Sequence, residues 1–237
     1  GAMFSESAEF YDAVYSFKDY AREAATVREL AERHCQSGGR DWLDVACGTG
    51  QHAQHWISDY QITGIDLDPE MVAIAAGKLP QGRFHVGDMR DFALGQTFDV
   101  LTCLFSSIAY VVTPAALAQT LVTFARHLKP GGVALIEPWL PREVIRPDHV
   151  GYQAYDGPDY KLVRMTKVLI EGDTTHLHMH YLLGNREGIR HFEELHIMGL
   201  FEDAQYRAVI EAAGLTLVEH DRNGLTGRGL YIAQKPG

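Results

Sequence analysis

A carboxylate inside an apolar run that ends in glycines is the first place where this sequence could do chemistry. The stretch is Leu43-Asp44-Val45-Ala46-Cys47-Gly48-Thr49-Gly50, followed by Gln51-His52-Ala53-Gln54-His55-Trp56-Ile57, which has helical rather than strand character. A buried strand turning sharply into a helix reads this way. Gly48 and Gly50 allow the tight turn and the close approach of a ligand. Gly48-x-Gly50-x-x-Ala53 fits the dinucleotide fingerprint, with Asp66 eighteen residues after Gly48. An acid at the end of the next strand can accept from a ribose diol. Asp44 turns the choice of cofactor. A buried carboxylate beside the turn needs a partner and would repel a pyrophosphate, yet it suits the amino group or sulfonium side of S-adenosylmethionine. A nicotinamide dinucleotide fits less well. The bland alternative is a strand–helix unit whose glycines serve only the turn.

Other candidates fall at corresponding points along the chain. Asp66-Leu67, Asp88-Met89 and Phe105-Ser106-Ser107 each follow an apolar run. Asp88 is placed to accept from an adenine amino group, with Met71 and Met89 packed on its rings or simply in the core. His176-x-His178-x-His180 puts three imidazoles on one face of a strand. No acid or cysteine pattern supports a metal there, and none is expected.

These residues need elements to position them. Glu9 to Cys35 is mostly helical in pattern, closed by Gly38-Gly39, and its aromatic start at Phe10–Tyr15 reads as a lid or as a helix packed across a sheet. Strands are predicted at Gln61–Asp66, Arg83–Gly87, Phe98–Leu104 and Val133–Glu137. Helices are predicted from Pro69 and over Ala115–Leu128, and Lys129-Pro130-Gly131-Gly132 reads as a turn. Asp99 reads as a structural residue just ahead of its strand. Such alternation predicts an α/β fold with a doubly wound, mostly parallel sheet, its ligands at the carboxyl ends of the strands. After Trp139 the pattern changes to antiparallel strands over Tyr160–Ile170, Thr174–Leu183 and Arg190–Leu200. The chain therefore divides into a cofactor-binding core with its lid (3–138), an antiparallel insertion covering the substrate (139–200) and a return to the core sheet (201–237).

With 237 residues, 46% hydrophobic, the chain can bury a large core. A net charge of −10 with no basic tract disfavours nucleic acid and anionic membrane as partners. Cys35, Cys47 and Cys103 lack Cys-x-x-Cys spacing and read as reduced thiols of a cytoplasmic protein. Gly1-Ala2 before Met3 reads as a tag-cleavage scar. No signal peptide or membrane-spanning run is visible in the sequence.

The sequence resembles the class I S-adenosylmethionine-dependent methyltransferases, and more closely the bacterial N-methyltransferases of TDP-linked deoxyamino sugars in antibiotic biosynthesis. Nearly the whole chain carries the likeness, through Tyr11–Tyr15, Lys18-Asp19-Tyr20, Leu43–Gly50, Gly87–Phe92, Phe105-Ser106-Ser107, Phe124–Leu128, Pro130-Gly131-Gly132, Glu137-Pro138-Trp139 and Gly227-Arg228-Gly229-Leu230. Leu140-Pro141 departs from the family, which commonly has a second aromatic after the tryptophan. The His176–His180 run is also richer in histidine than the family pattern.

The resemblance implies a Tyr15 near the sugar amine, an antiparallel insertion that forms the sugar-nucleotide site, and a possible homodimer. The cofactor-binding candidates are Tyr11, Tyr20, Asp44, Ala46, Gly48, Gly50, Asp66, Leu67, Met71, Asp88, Met89 and Phe105. Ser107, Trp139, Arg164, His180 and Arg228 join Tyr15 on the substrate side. Arg228 and Arg164 are candidates for a pyrophosphate because guanidinium is a planar donor; surface ion pairs are the alternative for each. An amine must lose a proton, and His is the obvious acceptor. His180 leads, because Leu177, Met179 and Tyr181 supply the core-facing side of its strand; His196 and then His127 follow. Two other functions stay open: methylation of another small amine or hydroxyl, and, further off, a nicotinamide oxidoreductase. A module that binds the cofactor without turnover is the remaining class.

Overall fold

The computed structural model describes residues 8–237, so the Gly1-Ala2 pair lies outside the described residues. Five parallel strands form the centre: β1 (Asp41–Val45), β2 (Gln61–Asp66), β3 (Arg83–Val86), β4 (Phe98–Cys103) and β5 (Leu128–Ile136). A second sheet holds β6 (Val150–Asp156), β7 (Lys161–Glu171), β8 (Thr174–Asn185) and β9 (Gly188–Gly199), all antiparallel and in sequence order. The chain then returns through β10 (Thr216–Asp221) and β11 (Leu230–Gln234), giving the first sheet the order β10-β11-β5-β4-β1-β2-β3. The switch point lies between β1 and β4, where strand order reverses and a crevice opens at the carboxyl ends.

The helices are α1 (Tyr11–Val14), α2 (Tyr20–His34), α3 (Pro69–Lys78), α4 (Pro114–Arg126) and α5 (Asp203–Ala212). Their starts are chemically defined. Asp19, Asp68 and Thr113 each accept a backbone N–H in the first turn, and Pro69 and Pro114 take first helical positions. No helix among the described residues is long and apolar enough to cross a membrane.

Two buried clusters sandwich the first sheet. One joins Leu43, Leu101 and Leu135's neighbour Ala134 to Leu121 and Phe124 of α4 and Ile210 of α5. The other packs Trp42, Trp56 and Ile62 against Val27 and Ala31 of α2. Trp42 and Trp56 stack at 4.1 Å, and each indole N–H is satisfied: Trp42 donates to Thr102 Oγ1 and Trp56 to the Ala24 carbonyl. A third cluster lies between the amino-terminal segment and the inner face of the second sheet, with Phe10, Val14 and Tyr15 against Leu162, Met179 and Tyr181.

Four local expectations change. The long helix expected over Glu9–Cys35 is broken at 15–19, because the Asp19 carboxylate caps a new helix there. After Gly50 the chain makes turns and a 3-10 segment, Ala53–His55, in place of an α-helix. Lys129–Gly132 is a bulge inside β5: Phe98 pairs with Leu128 but Val100 with Val133. Asp99 lies within β4 rather than ahead of it, completely buried. Its carboxylate accepts from Ser37 Oγ (2.6 Å), Gly39 N (2.9 Å), Asp41 N (2.9 Å) and Lys129 Nζ (2.8 Å).

Candidate active site

A cavity of about 980 Å³ occupies the crevice between the carboxyl edge of the first sheet, the amino-terminal segment and the inner face of the second sheet. Its floor comes from the loops after the strands: Ala46 and Gly48 after β1, Asp66, Leu67 and Met71 after β2, Asp88 and Met89 after β3, and Phe105, Ser106 and Ser107 after β4. These loops are held in uncommon conformations. Ala46, Phe105 and Ser106 have φ of 57°, 58° and 64°, and Gly48 has 56°. Buried Glu137, at the end of β5, fastens two of the loops by accepting from Phe105 N (2.6 Å) and Thr226 Oγ1 (2.8 Å).

Asp66 is a partly buried acceptor. One oxygen takes Gly48 N and the other takes Asp68 N, both at 2.9 Å. Burial pushes its carboxyl above the usual range while those N–H groups pull it down. Each carboxylate oxygen keeps a further lone pair for a ribose hydroxyl. The donor set therefore fits an adenosyl group. Asp66 offers two carboxylate acceptors, Leu67, Met71 and Met89 line an apolar slot, and Gly48 leaves its backbone bare. Asp88 lines the slot too, but Arg90 already grips it, with Nη2 2.6 Å from Oδ2 and Nε 3.0 Å from Oδ1. An adenine amino group would share that carboxylate with Arg90.

Tyr20, Asp44 and Gly50, expected as cofactor contacts, stand behind the residues that line the cavity. Gly50 (φ 86°) packs away from the cavity, where a Cβ would come within 2.9 Å of Leu79 Cδ1. The Tyr20 ring packs edge-on against His52. Asp44 has a partner within the sheet, Thr102, whose hydroxyl donates to Oδ1 at 2.8 Å. Burial, only partly offset by His52 and Thr102, pushes the Asp44 carboxyl up to about 6.

The amino-terminal segment closes the cavity. Tyr11, Tyr15, Phe17 and Lys18 line it. Asp12 latches the segment to the glycine turn by accepting from Thr49 Oγ1 at 2.6 Å and facing Lys78 Nζ at 3.4 Å. Lys18, part of the stretch that carries the family likeness, was not named as a site residue. Its ammonium sits 4.1 Å from the Phe105 ring centroid and 2.6 Å from Glu23.

On the far side, Arg164 projects from the inner face of β7, buried, and donates from Nη1 to Tyr15 Oη at 2.8 Å. That excludes the surface ion pair considered for it. Arg228 lies over Phe105 (4.8 Å) and Trp139 (5.4 Å) and donates to Ser106 Oγ at 3.1 Å. Tyr15, Ser107, Trp139, Arg164 and Arg228 thus line one cavity.

The histidines redistribute. Residues of β8 alternate, so Leu177 and Met179 face the cavity and His176, His178 and His180 face outward. The same alternation that made His180 conspicuous removes it from the site. Its exposed ring stacks on His191 and bonds it at 3.1 Å (Nδ1 to Nε2). His180, His191 and Glu193 also bring their ligand atoms within 4.8 Å of one another on that outer face. His127 is a structural group: Nδ1 meets the Thr123 carbonyl at 2.8 Å and Nε2 accepts from Leu94 N at 3.2 Å. Burial pushes its pKa down, so the ring is neutral and fully used. His196 is buried on the inner face of β9, one layer behind Tyr110. Tyr110 itself lines the cavity and was missed. Its position three residues after Ser107 was the available signal.

The "Methyltransferase domain" family matches residues 43–132. Over 230 residues the chain is 40% identical to the dTDP-3-amino-3,6-dideoxy-alpha-D-glucopyranose N,N-dimethyltransferase of Streptomyces fradiae, covering 95% of this chain and 89% of that protein. It is 37% identical to the dTDP-4-amino-2,3,4,6-tetradeoxy-D-glucose N,N-dimethyltransferase of Saccharopolyspora spinosa, covering 96% and 92%. Among solved structures, SAM-bound CalS10, an amino pentose methyltransferase from Micromonospora echinaspora involved in calicheamicin biosynthesis, superposes with a TM-score of 0.86. That pair shares 33% identity over 95% of this chain and 96% of the other.

Proposed function

The chain belongs to the S-adenosylmethionine-dependent methyltransferases, in the group of nucleotide-sugar N-methyltransferases, and from that premise we propose that it methylates the amino group of a TDP-linked deoxyamino sugar. The observation that carries this reading is the single cavity bounded by an adenosyl-type floor at Asp66 and an inner sheet face bearing Arg164, Met179 and Met198. One compartment holds both reactants.

When bound, the cofactor supplies an electrophilic methyl group on a sulfonium; the protein's contribution is positioning and exclusion of water. In this reading Asp66 holds the ribose, and Met71 and Met89 flank the adenine. Tyr15 orients the acceptor amine, its hydroxyl fixed by Arg164. Arg228 and Trp139 receive the nucleotide end, with a guanidinium for phosphate and a ring for stacking. Arg164 serves Tyr15 rather than a phosphate, because the Tyr15 hydroxyl already takes its Nη1.

Mass spectrometry after incubation with S-adenosylmethionine and a panel of TDP-3-amino and TDP-4-amino sugars tests this. One or two added methyl groups on a single sugar is the expected result. Methylation of free small amines or of hydroxyl compounds, with every sugar nucleotide untouched, would move the assignment to another acceptor.

We extend the reading to a cytoplasmic homodimer. Free Cys35, Cys47 and Cys103 suit a reducing compartment. The outer face of the second sheet leaves Met165, Leu182 and Leu195 about half exposed, which suits a partner. Light scattering should give twice the chain mass, and Leu182→Glu with Leu195→Glu should halve it without changing the circular dichroism. A wild-type chain that stays monomeric at micromolar concentration ends this part of the reading.

A further inference from the structure

The cavity wall contains an acid–base chain that leads away from the ligands. Tyr110 is in the 3-10 segment Ser107–Val111 that follows β4, and its side chain lines the cavity. Its hydroxyl lies 2.8 Å from His196 Nδ1, on the inner face of β9. The other ring nitrogen, Nε2, faces Glu194 Oε1 at 3.6 Å, and Tyr181 donates to that same oxygen at 3.1 Å. His196 is completely buried. With the ring proton on Nε2, toward that carboxylate, Nδ1 accepts from Tyr110. The order hydroxyl, imidazole, carboxylate is that of a general base with its orienting acid.

We infer that Tyr110, His196 and Glu194 form a proton relay that takes the ammonium proton of the acceptor, Tyr110 being the group that touches it. The inference rests on the N-methylation reading. An alkyl ammonium is protonated at neutral pH and has no lone pair with which to attack. In the relay the ammonium N–H bond breaks and its proton goes to Tyr110 Oη. The hydroxyl proton of Tyr110 passes to His196 Nδ1. Tyr110 ends neutral, the amine gains its lone pair, and the positive charge moves to an imidazolium beside Glu194. Solvent removes the proton by the reverse path once the cavity empties, ready for a second methylation.

The surroundings suit a transfer in concert rather than a standing tyrosinate. Burial and the nearby Tyr15, Tyr181 and Glu194 push the Tyr110 hydroxyl well up, with Arg228 opposing them. Tyr11 faces it from α1, and Arg164 approaches Tyr181 from β7. His180, the histidine that sequence spacing favoured, lies on the opposite face of the sheet and has no route to the cavity.

The test compares Tyr110→Phe and His196→Asn with the wild-type chain on the amino sugar that it methylates, from pH 6.5 to 9. Phenylalanine keeps the ring and its packing, so Tyr110→Phe stands if the buried His196 variant does not fold. Wild-type enzyme can use the ammonium form; the variants need amine that is already deprotonated. At pH 7 kcat should fall about 10²–10³-fold, and the deficit should shrink about tenfold per pH unit as pH rises. Affinity for S-adenosylhomocysteine, measured by calorimetry, should be unchanged. In nitrogen-15 spectra, the His196 ring of the wild type should move to the imidazolium range when the amino sugar binds to the S-adenosylhomocysteine complex, and Tyr110→Phe should abolish that shift. A deficit that stays constant across pH, or no deficit, overturns the relay while the acceptor assignment stands. A wild-type chain inert toward every amino sugar overturns the acceptor assignment, and the relay with it.

Discussion

Asp99→Ala is expected to cost the fold about 3–5 kcal/mol. The wild-type carboxylate satisfies two backbone N–H groups, the Ser37 hydroxyl and the Lys129 ammonium at the amino end of β1 and β4. Alanine would leave the Gly39 and Asp41 N–H groups and the Ser37 hydroxyl without this acceptor, while Lys129 keeps Asp41 Oδ2 at 2.9 Å. For a chain of this size the melting temperature should drop by roughly 10 °C. Asp99→Asn, which keeps one oxygen, should fall less. The pH dependence is fixed by sign. Burial pushes the Asp99 carboxyl up, but Lys129, Ser37 and the two N–H groups together hold it below the usual carboxylate range. A depressed folded pKa contributes stability above the unfolded value and loses it as pH falls through the folded one. The gap between wild type and Asp99→Ala should therefore be full at pH 7 and begin to narrow below about pH 4. Calorimetric melting at pH 7 and pH 3 checks it; an equal gap at both pH values would refute the assignment of the stability to the charge.

Asp44→Asn should act in the opposite direction. Burial lifts the Asp44 carboxyl from 3.8 to about 6. Between those values the unfolded chain releases its proton while the folded chain keeps it, so folding is penalised as pH rises and the penalty is complete above about 6. A shift of about two units corresponds to as much as 3 kcal/mol. Asparagine keeps the acceptor for Thr102 Oγ1 and removes the charge. The cofactor-free protein should melt about 5 °C higher at pH 8, with little change at pH 4. Affinity for S-adenosylmethionine should drop about tenfold, because a buried negative charge behind the cavity wall favours the cationic ligand. Melting curves and titration calorimetry on one preparation decide it. Stability and affinity that change in the same direction would show that Asp44 is kept for packing rather than for its field.

Much of this architecture was legible in the sequence. Continuous apolar runs such as Val133–Ile136 are buried on both faces, and the acids and glycines that follow the runs fall at carboxyl ends because parallel strands all point one way. Asp66, Gly48, Met71, Asp88 and Phe105 could be grouped for that reason. What could not be read depended on a third dimension. β6, Val150–Asp156, carries no buried residue, so it shows no apolar alternation. Spacing put His176, His178 and His180 on one face, but only the packing of β8 shows that this face is outward. Tyr110 and Glu194 are ordinary residues in sequence; they become a set only because the segment after β4 meets β9. Gly50 matched a ligand motif, yet its missing Cβ makes room for Leu79.

The left-handed residues Ala46, Phe105 and Ser106 give the molecule two unlike ends. Each such conformation stores about 1–2 kcal/mol for a residue with a Cβ, and all three lie on the ligand edge, while the opposite edge is stapled through Asp99. Damage tolerance should be divided the same way. Changes to the second sheet's inner face and to the loops at the ligand edge can redraw the acceptor pocket on a scaffold whose folding reserve lies elsewhere. A scaffold arranged in this way can acquire a new sugar without first acquiring a new core.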